Sequence, residues 1–279
     1  MKRLPFVFCS LLFLTALSFS GCASNTPVTA GPGEADQILL ERGNAALKDR
    51  KWTTSRQYYS ELLESYPQSA LRAEAKLGVG DSYLSENNSA SYVYAQNEYR
   101  EFLAFYPTNP RADYAQMQLG MVHFNQMLNP QRDQTETKEA IREFEVFVER
   151  HPNSPLMPQV KERLREAKDR LSDWDVQVGT FYLKVRLYHS AEQRYRHVLE
   201  ADPEYRGKDS LYFYLAETLE KSGKPHEALP YYERLVREFE KSEFLEEANK
   251  RIELLKQQIK LTPPAPVSTA SPAAEPKAP

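Results

Sequence analysis

The side chain best placed for covalent chemistry in this sequence is Cys22. It closes the run Phe19-Ser20-Gly21-Cys22, which follows Lys2, Arg3 and an apolar stretch from Leu4 to Phe19. A basic start, a short apolar run and small residues before a fixed point form the pattern of a cleaved export signal. The run is shorter than the roughly 20 residues a membrane span needs, and Pro5 sits near its start. Cys9 falls inside the discarded leader, so the exported chain keeps one thiol and cannot close an internal disulfide. Other reactive residue types do not assemble a site. The histidines at 123, 151, 189, 197 and 226 include no His-Glu-x-x-His spacing, no serine lies in a Gly-x-Ser-x-Gly turn, and Gly78 and Gly80 lie in an amphipathic helix rather than a phosphate loop. Neither a metal nor a catalytic residue is expected.

The residues ending at Cys22 resemble the lipobox of bacterial lipoproteins, with Phe19 replacing the usual Leu. The resemblance implies removal of residues 1–21 as a signal peptide. It also implies a diacylglycerol and an N-acyl chain on Cys22, with no other cofactor. Several chains anchor stably where one does not, because each buried methylene contributes about 0.8 kcal/mol. An ordinary secretory signal with an incidental cysteine is the alternative. Ala23 follows the cysteine where an aspartate would favour retention, so the sorting pattern points to the outer membrane, facing the periplasm. Residues 22–34 are small and polar, contain Pro27 and Pro32, and read as a tether of about 40 Å at full extension.

What must position any surface beyond the tether is a repeat. Five times a small or hydroxyl residue is followed after four residues by an aromatic, after seven by an apolar residue and after twelve by a helix stop. The sets are Ser55/Tyr59/Leu62/Pro67, Ala95/Tyr99/Phe102/Pro107, Ala140/Phe144/Phe147/Pro152, Ala191/Tyr195/Val198/Pro203 and Ala228/Tyr232/Leu235/Glu240. A fixed spacing recurring every 35 to 50 or so residues marks a helical solenoid. A small residue precedes each set: Gly43, Gly80, Gly120, Gly179 and Ala216. Glycine within a helix costs about 1 kcal/mol against alanine, so close approach of a second helix is its reason. Each unit resembles the tetratricopeptide repeat (TPR), which implies an all-α, right-handed α-solenoid of five TPR-like helix pairs. The aromatics are read as core between stacked repeats. Longer spacings in repeats two and three suggest looser turns at Ser85–Ser91 and Leu128–Thr135.

One interval departs from the pattern. From Pro152 to Gly179 is 27 residues where three other intervals are 13. The surplus is rich in Glu, Lys, Arg and Leu, and predicts a long central helix from about Pro155 to Tyr188; Ser172-Asp173 could instead cap and split it. The resulting division is residues 35–154 for repeats one to three and 155–260 for the long helix, repeats four and five and a C-terminal helix. A Pro/Ala-rich tail, 261–279, is expected to be disordered. The net charge of −3 becomes −5 once Lys2 and Arg3 leave with the signal, which argues against nucleic acid.

TPR arrays bind peptides along the face made by their first helices. In this register the groove positions are Leu40, Asn44 and Leu47, then Leu77, Asp81 and Leu84, then Met117, Met121 and Phe124, and about half of them are read as shared with the core. An apolar groove with adaptable methionines suits an extended peptide with hydrophobic or aromatic side chains.

The order of several short motifs is similar to the BamD family, TPR lipoproteins of the outer-membrane β-barrel assembly (BAM) machinery. They are Arg111-Ala112-Asp113-Tyr114-Ala115, Gly120, Arg132-Asp133, Ala140 to Phe144, His151-Pro152-Asn153-Ser154-Pro155, Arg163-Leu164 and Leu171, then Phe181-Tyr182-Leu183-Lys184, Tyr188, Ala191, Arg194 and Val198-Leu199. The similarity covers about Ala35 to Ala248, with Trp174-Asp175 where the family usually has His-Glu and Met117 for a common tyrosine. It implies binding of unfolded outer-membrane β-barrel proteins by repeats one to three. It also implies docking of the C-terminal half to a BamA-like insertase beside other BAM lipoproteins, through Arg194 and Asp175. A different TPR lipoprotein, such as a pilotin or a cell-wall coordination factor, and a periplasmic enzyme are the other classes.

Overall fold

The computed structural model describes residues 34–261, which form eleven α-helices and no strand. Cys22, the tether up to residue 33 and the tail from residue 262 lie outside the described residues. The helices are α1 (Ala35–Lys48), α2 (Trp52–Ser65), α3 (Arg72–Glu86), α4 (Ser89–Phe105), α5 (Ala112–Phe124), α6 (Thr135–Arg150), α7 (Met157–Lys184), α8 (Tyr188–Ala201), α9 (Lys208–Lys221), α10 (Pro225–Glu238) and α11 (Leu245–Leu261). Each packs on its neighbours in sequence, and the first helices of successive pairs also touch, α1 on α3, α5 on α7 and α7 on α9. This is the all-α TPR-like solenoid that the spacing predicts. Among the described residues no helix is long and apolar enough to cross a membrane.

The glycine–aromatic pairing is the packing unit. A Cβ on Gly43 would lie 2.4 Å from the Tyr59 ring, on Gly80 2.8 Å from Tyr99, on Gly120 2.4 Å from Phe144 and on Gly179 2.6 Å from Tyr195. Tyr59 is held from both sides, since a Cβ on Gly78 of α3 would also come within 2.4 Å of its ring. All five repeat aromatics are fully buried. They sit where only a glycine or alanine leaves room.

A second repeated device ties successive pairs together. Ser69 Oγ donates to Asp36, Ser154 Oγ to Asp113 at 2.6 Å and Ser242 Oγ to Asp209 at 2.8 Å. In each case the backbone N–H two residues on donates to the same serine oxygen. The serine thus fixes the turn and staples it to the start of the preceding pair's first helix. Repeat four replaces it with Tyr205, whose hydroxyl donates to Asp173 at 2.5 Å.

The long helix α7 is continuous. Pro158 lies in its first turn, where a missing N–H costs nothing. Ser172-Asp173 does not cap because its side chains are engaged elsewhere: Ser172 Oγ donates to Asp202 at 2.7 Å, and Asp173 accepts from Tyr205. Beside them Arg165 pairs with Asp202 and Asp169, so polar groups join α7 to the turn before α9.

The looser turn expected at Ser85–Ser91 is corrected. The three extra residues lengthen α3 and α4, leaving a two-residue turn with Asn87 left-handed at φ 57° and Asn88 accepting from Ser91 N–H. The expected loop after Leu128 exists between α5 and α6. Gln134 is buried beneath it and donates to the carbonyls of Asn129 and Arg132.

Candidate functional site

The groove face of repeats one to three grows out of the glycine–aromatic contact. In repeats one to four, the residue after the glycine sits at the far end of the ring. Tyr59 Oη donates to Asn44 Oδ1 at 2.7 Å and Tyr99 Oη to Asp81 Oδ1 at 2.7 Å, while the Thr180 and Tyr195 hydroxyls lie 3.1 Å apart. Repeat three has no hydroxyl on Phe144, and there the corresponding residue is Met121, packed in the same cluster. Ring and partner change polarity together.

Asp81 is the most engaged of the groove residues. Its Oδ1 also accepts from Tyr114 Oη at 3.0 Å, and Gln118 Nε2 donates to that tyrosine oxygen at 2.9 Å. The Arg111 guanidinium lies 4.4 Å over the Tyr114 ring and pairs with Glu74 at 3.2 Å. Burial pushes the Asp81 carboxyl above its ordinary range, although both tyrosines and Arg111 pull it down. Burial and the adjacent Asp81 push the Tyr99 hydroxyl well up, and burial raises Tyr59 to about 12.

Of the nine expected groove residues, Leu40, Leu47, Asp81, Leu84, Met121 and Phe124 are half-buried and Asn44 is exposed. Leu77 and Met117 are corrected to core, at 2% and 5% exposure. Leu77 packs with Tyr99 and Phe102, and Met117 with Phe144 and Phe147, because three residues before the glycine the helix faces its own partner helix. Sequence reasoning missed Tyr114 and Arg163, the latter 5.2 Å over the Phe124 ring. Tyr114 was legible: with Met117 and Met121 it follows the i, i+3, i+7 spacing of one helix face.

The expected docking pair is also corrected. Arg194 Nη1 donates to Asp175 Oδ1 at 2.9 Å, and the guanidinium lies 5.7 Å over the Trp174 ring, with Lys138 the same distance from that ring. Asp175 is 6% exposed. A buried carboxylate facing its own chain's arginine is unavailable to a partner, so Asp175 positions Arg194, which keeps an open outer side. Beside it a cavity of about 220 Å³ between α6, α7 and α8 has Ile141, Leu171 and Val198 with Asp175 and His197 in its lining.

His123, Glu139 and Glu143 bring potential ligand atoms within 4.8 Å of one another. Both His123 ring nitrogens are already in hydrogen bonds, to Glu136 at 2.7 Å and Gln96 at 2.9 Å, and Glu143 accepts from Gln116 and Arg142. The cluster clasps α4, α5 and α6. A cation would have to displace these bonds.

A solenoid with an apolar groove over three repeats, then a long helix and two more, is the arrangement against which the chain compares with known proteins. The YfiO model, described as an outer membrane lipoprotein, matches residues 33–228. The chain belongs to this family. The matched span runs from the start of α1 into α10 and leaves out α11 and the tail. Among relatives, an outer membrane protein assembly factor BamD of Caulobacter vibrioides is 26% identical over 189 residues, 67% of this chain and 61% of that protein. The chain therefore spans under two thirds of that relative's length. BamD of Neisseria gonorrhoeae is 24% identical over 258 residues, covering 89% and 95%. Among solved structures, a yeast Sti1 TPR2AB domain with pHSP90 is 12% identical with a TM-score of 0.44, covering 82% of this chain and 86% of that one. Pseudomonas aeruginosa PilF is 17% identical with a TM-score of 0.37, covering 83% and 94%.

Proposed function

We propose that this protein is a scaffold rather than an enzyme in outer-membrane β-barrel assembly, tethered to the outer membrane through acylated Cys22 and facing the periplasm. Repeats one to three hold unfolded barrel proteins in their groove. The C-terminal half docks to a BamA-like insertase and to accessory lipoproteins of the same machinery. The observation that carries this reading is family membership over residues 33–228, with relatives named outer membrane protein assembly factors. The half-buried Leu47, Leu84, Met121 and Phe124 support it, since they offer an extended peptide a shallow apolar track.

Co-purification from detergent-solubilised membranes tests the whole reading. A BamA-like barrel protein is expected with the chain, and recovery of a secretin or a peptidoglycan synthase instead would replace it. Mass spectrometry of the mature N-terminus tests the anchor, with acyl mass expected on Cys22. Met121→Asp places a carboxylate against Phe144 without a donor and should weaken a phenylalanine-ending peptide about tenfold at unchanged helical circular dichroism. Arg194→Gln keeps a donor for Asp175 but removes the charge. It should lower recovery of the insertase and leave the peptide contacts of repeats one and two alone, because repeats sense only their neighbours.

A further inference from the structure

Three turns within helix pairs share one backbone solution. After α1, α7 and α9 a residue is left-handed: Arg50 at φ 59°, Arg186 at 62° and Gly223 at 78°. The hydrogen bonds correspond one to one. Asp49, Val185 and Ser222 donate to the carbonyls of Ala45, Phe181 and Thr218, and Lys51, Leu187 and Lys224 donate to Ala46, Tyr182 and Leu219. The surfaces differ. Where repeat one has Ala45, Asp49 and Lys51, repeat four exposes Phe181, Val185 and Leu187, at 59%, 47% and 53%. The fold does not require this apolar tip, because the same turn forms elsewhere in the chain with polar residues.

The tip adjoins a cavity of about 580 Å³ between the C-terminal ends of α7 and α9, lined by Leu183, Tyr188, Tyr214, Lys184, Arg186 and Lys221 among others. Lys221 pairs with Glu217, whereas Lys184 and Arg186 enter no ion pair among the described residues. The cavity's walls are otherwise mostly polar, with Thr180 and Glu217 beside the cations, and its two tyrosines together with the exposed Val185 and Leu187 of the adjoining turn make the kind of aromatic and apolar surface on which proline-rich segments dock. Residues 262–279 have the composition of one. They contain six prolines, including Pro263-Pro264-Ala265-Pro266 and Pro276-Lys277-Ala278-Pro279, and an acid, Glu275, to face the unpaired cations. The reach is ample. α9 and α11 both pack against α10 as its sequence neighbours and run the same way, so Leu261 ends α11 on the edge that carries Lys221. Neighbouring helices stand about 8–10 Å apart, and 18 residues in polyproline II span about 56 Å.

We propose that residues 262–279 fold back in cis onto this cavity and the apolar tip of the α7–α8 turn. The segment lies outside the family match, so the proposal stands independently of the assembly reading. It would occupy part of the C-terminal half until a competing ligand displaces it, with the local concentration of a tethered segment, on the order of millimolar.

Calorimetric titration of a synthetic peptide of residues 262–279 tests this on two proteins in detergent, the full chain and a chain ending at Leu261. The peptide should bind the shortened chain at least about tenfold more tightly than the full chain, whose site is already filled. In the shortened chain, Val185→Asp with Leu187→Lys reproduces the polar turn of repeat one. That variant should keep its melting temperature and lose about tenfold in peptide affinity. No binding to the shortened chain, or equal affinity for both chains, overturns the proposal. Binding that ignores the Val185→Asp/Leu187→Lys change overturns the location.

Discussion

Repeats two and three answer one packing problem in opposite ways. Both set a fully buried aromatic of the second helix against a glycine of the first. In repeat two the ring is Tyr99 and its hydroxyl reaches Asp81, whereas in repeat three the ring is Phe144 and Met121 fills the same position. The difference shows that the unit of the repeat is a pair of residues sixteen to twenty-four apart, not the aromatic alone. It also divides the groove into a polar station at Asp81 and an apolar one at Met121 and Phe124.

The strongest way to break the comparison is to remove what both repeats share. Gly120→Leu drives a side chain into a ring that already stands 2.4 Å from a single added Cβ. Overpacking of this kind costs about 1–3 kcal/mol or more, and for a chain of this size each kcal/mol lowers the melting temperature by about 2–4 °C. Gly80→Leu should act similarly, slightly less because its nearest ring atom is 2.8 Å away. Thermal melts within a degree or two of the unaltered protein would show that the ring can swing aside.

Exchanging the two solutions gives a smaller effect with more information. Phe144→Tyr adds a hydroxyl facing Met121, which has no acceptor to offer, and an unpaired buried hydroxyl costs about 1–3 kcal/mol. Adding Met121→Asn rebuilds the Tyr59–Asn44 bond of repeat one and should return about 1 kcal/mol of that loss. Urea denaturation of the two single variants and the double variant measures the coupling. Additive losses would mean that the polarity of the two positions is not linked.

Much of this architecture was legible in the sequence because the glycine-to-aromatic spacing is set by helix geometry within one pair. The long α7 followed from counting residues between Pro152 and Gly179. What stayed hidden depends on which side chains meet across the two helices of a pair. Ser172 looks like a cap until Asp202, thirty residues on, takes its hydroxyl. Leu77 and Met117 occupy positions that face a groove in the repeat pattern, yet their side chains turn into the neighbouring helix. Asp175 reads as a surface acid, and only the fold places Arg194 against it. The lengthened helices of repeat two defeated the loop expectation because three extra residues fit within α3 and α4 without a turn signal.

Titration separates the two repeats most finely, since only repeat two has anything to titrate at this position. Burial holds the Asp81 carboxyl above its usual 3.8, so between that value and the raised one the native state binds more protons than the unfolded chain. Stability contributed by this group is full below about pH 3.8 and falls as pH rises through the native value, by at most about 1.4 kcal/mol per pH unit. Asp81→Asn keeps an oxygen for the Tyr99 and Tyr114 hydroxyls but carries no proton to lose. Asp169 and Asp173 are also raised by burial, while partners lower Asp202 and Glu192, and these groups contribute equally to both proteins. Urea midpoints measured from pH 4 to 7 should therefore favour the Asn variant increasingly with pH relative to the unaltered chain. A difference that is flat with pH, or that runs the other way, would mean the tyrosine bonds outweigh burial and that Asp81 faces the groove as an ordinary carboxylate. Met121→Gln in repeat three is the matching control, and its difference curve should show no slope.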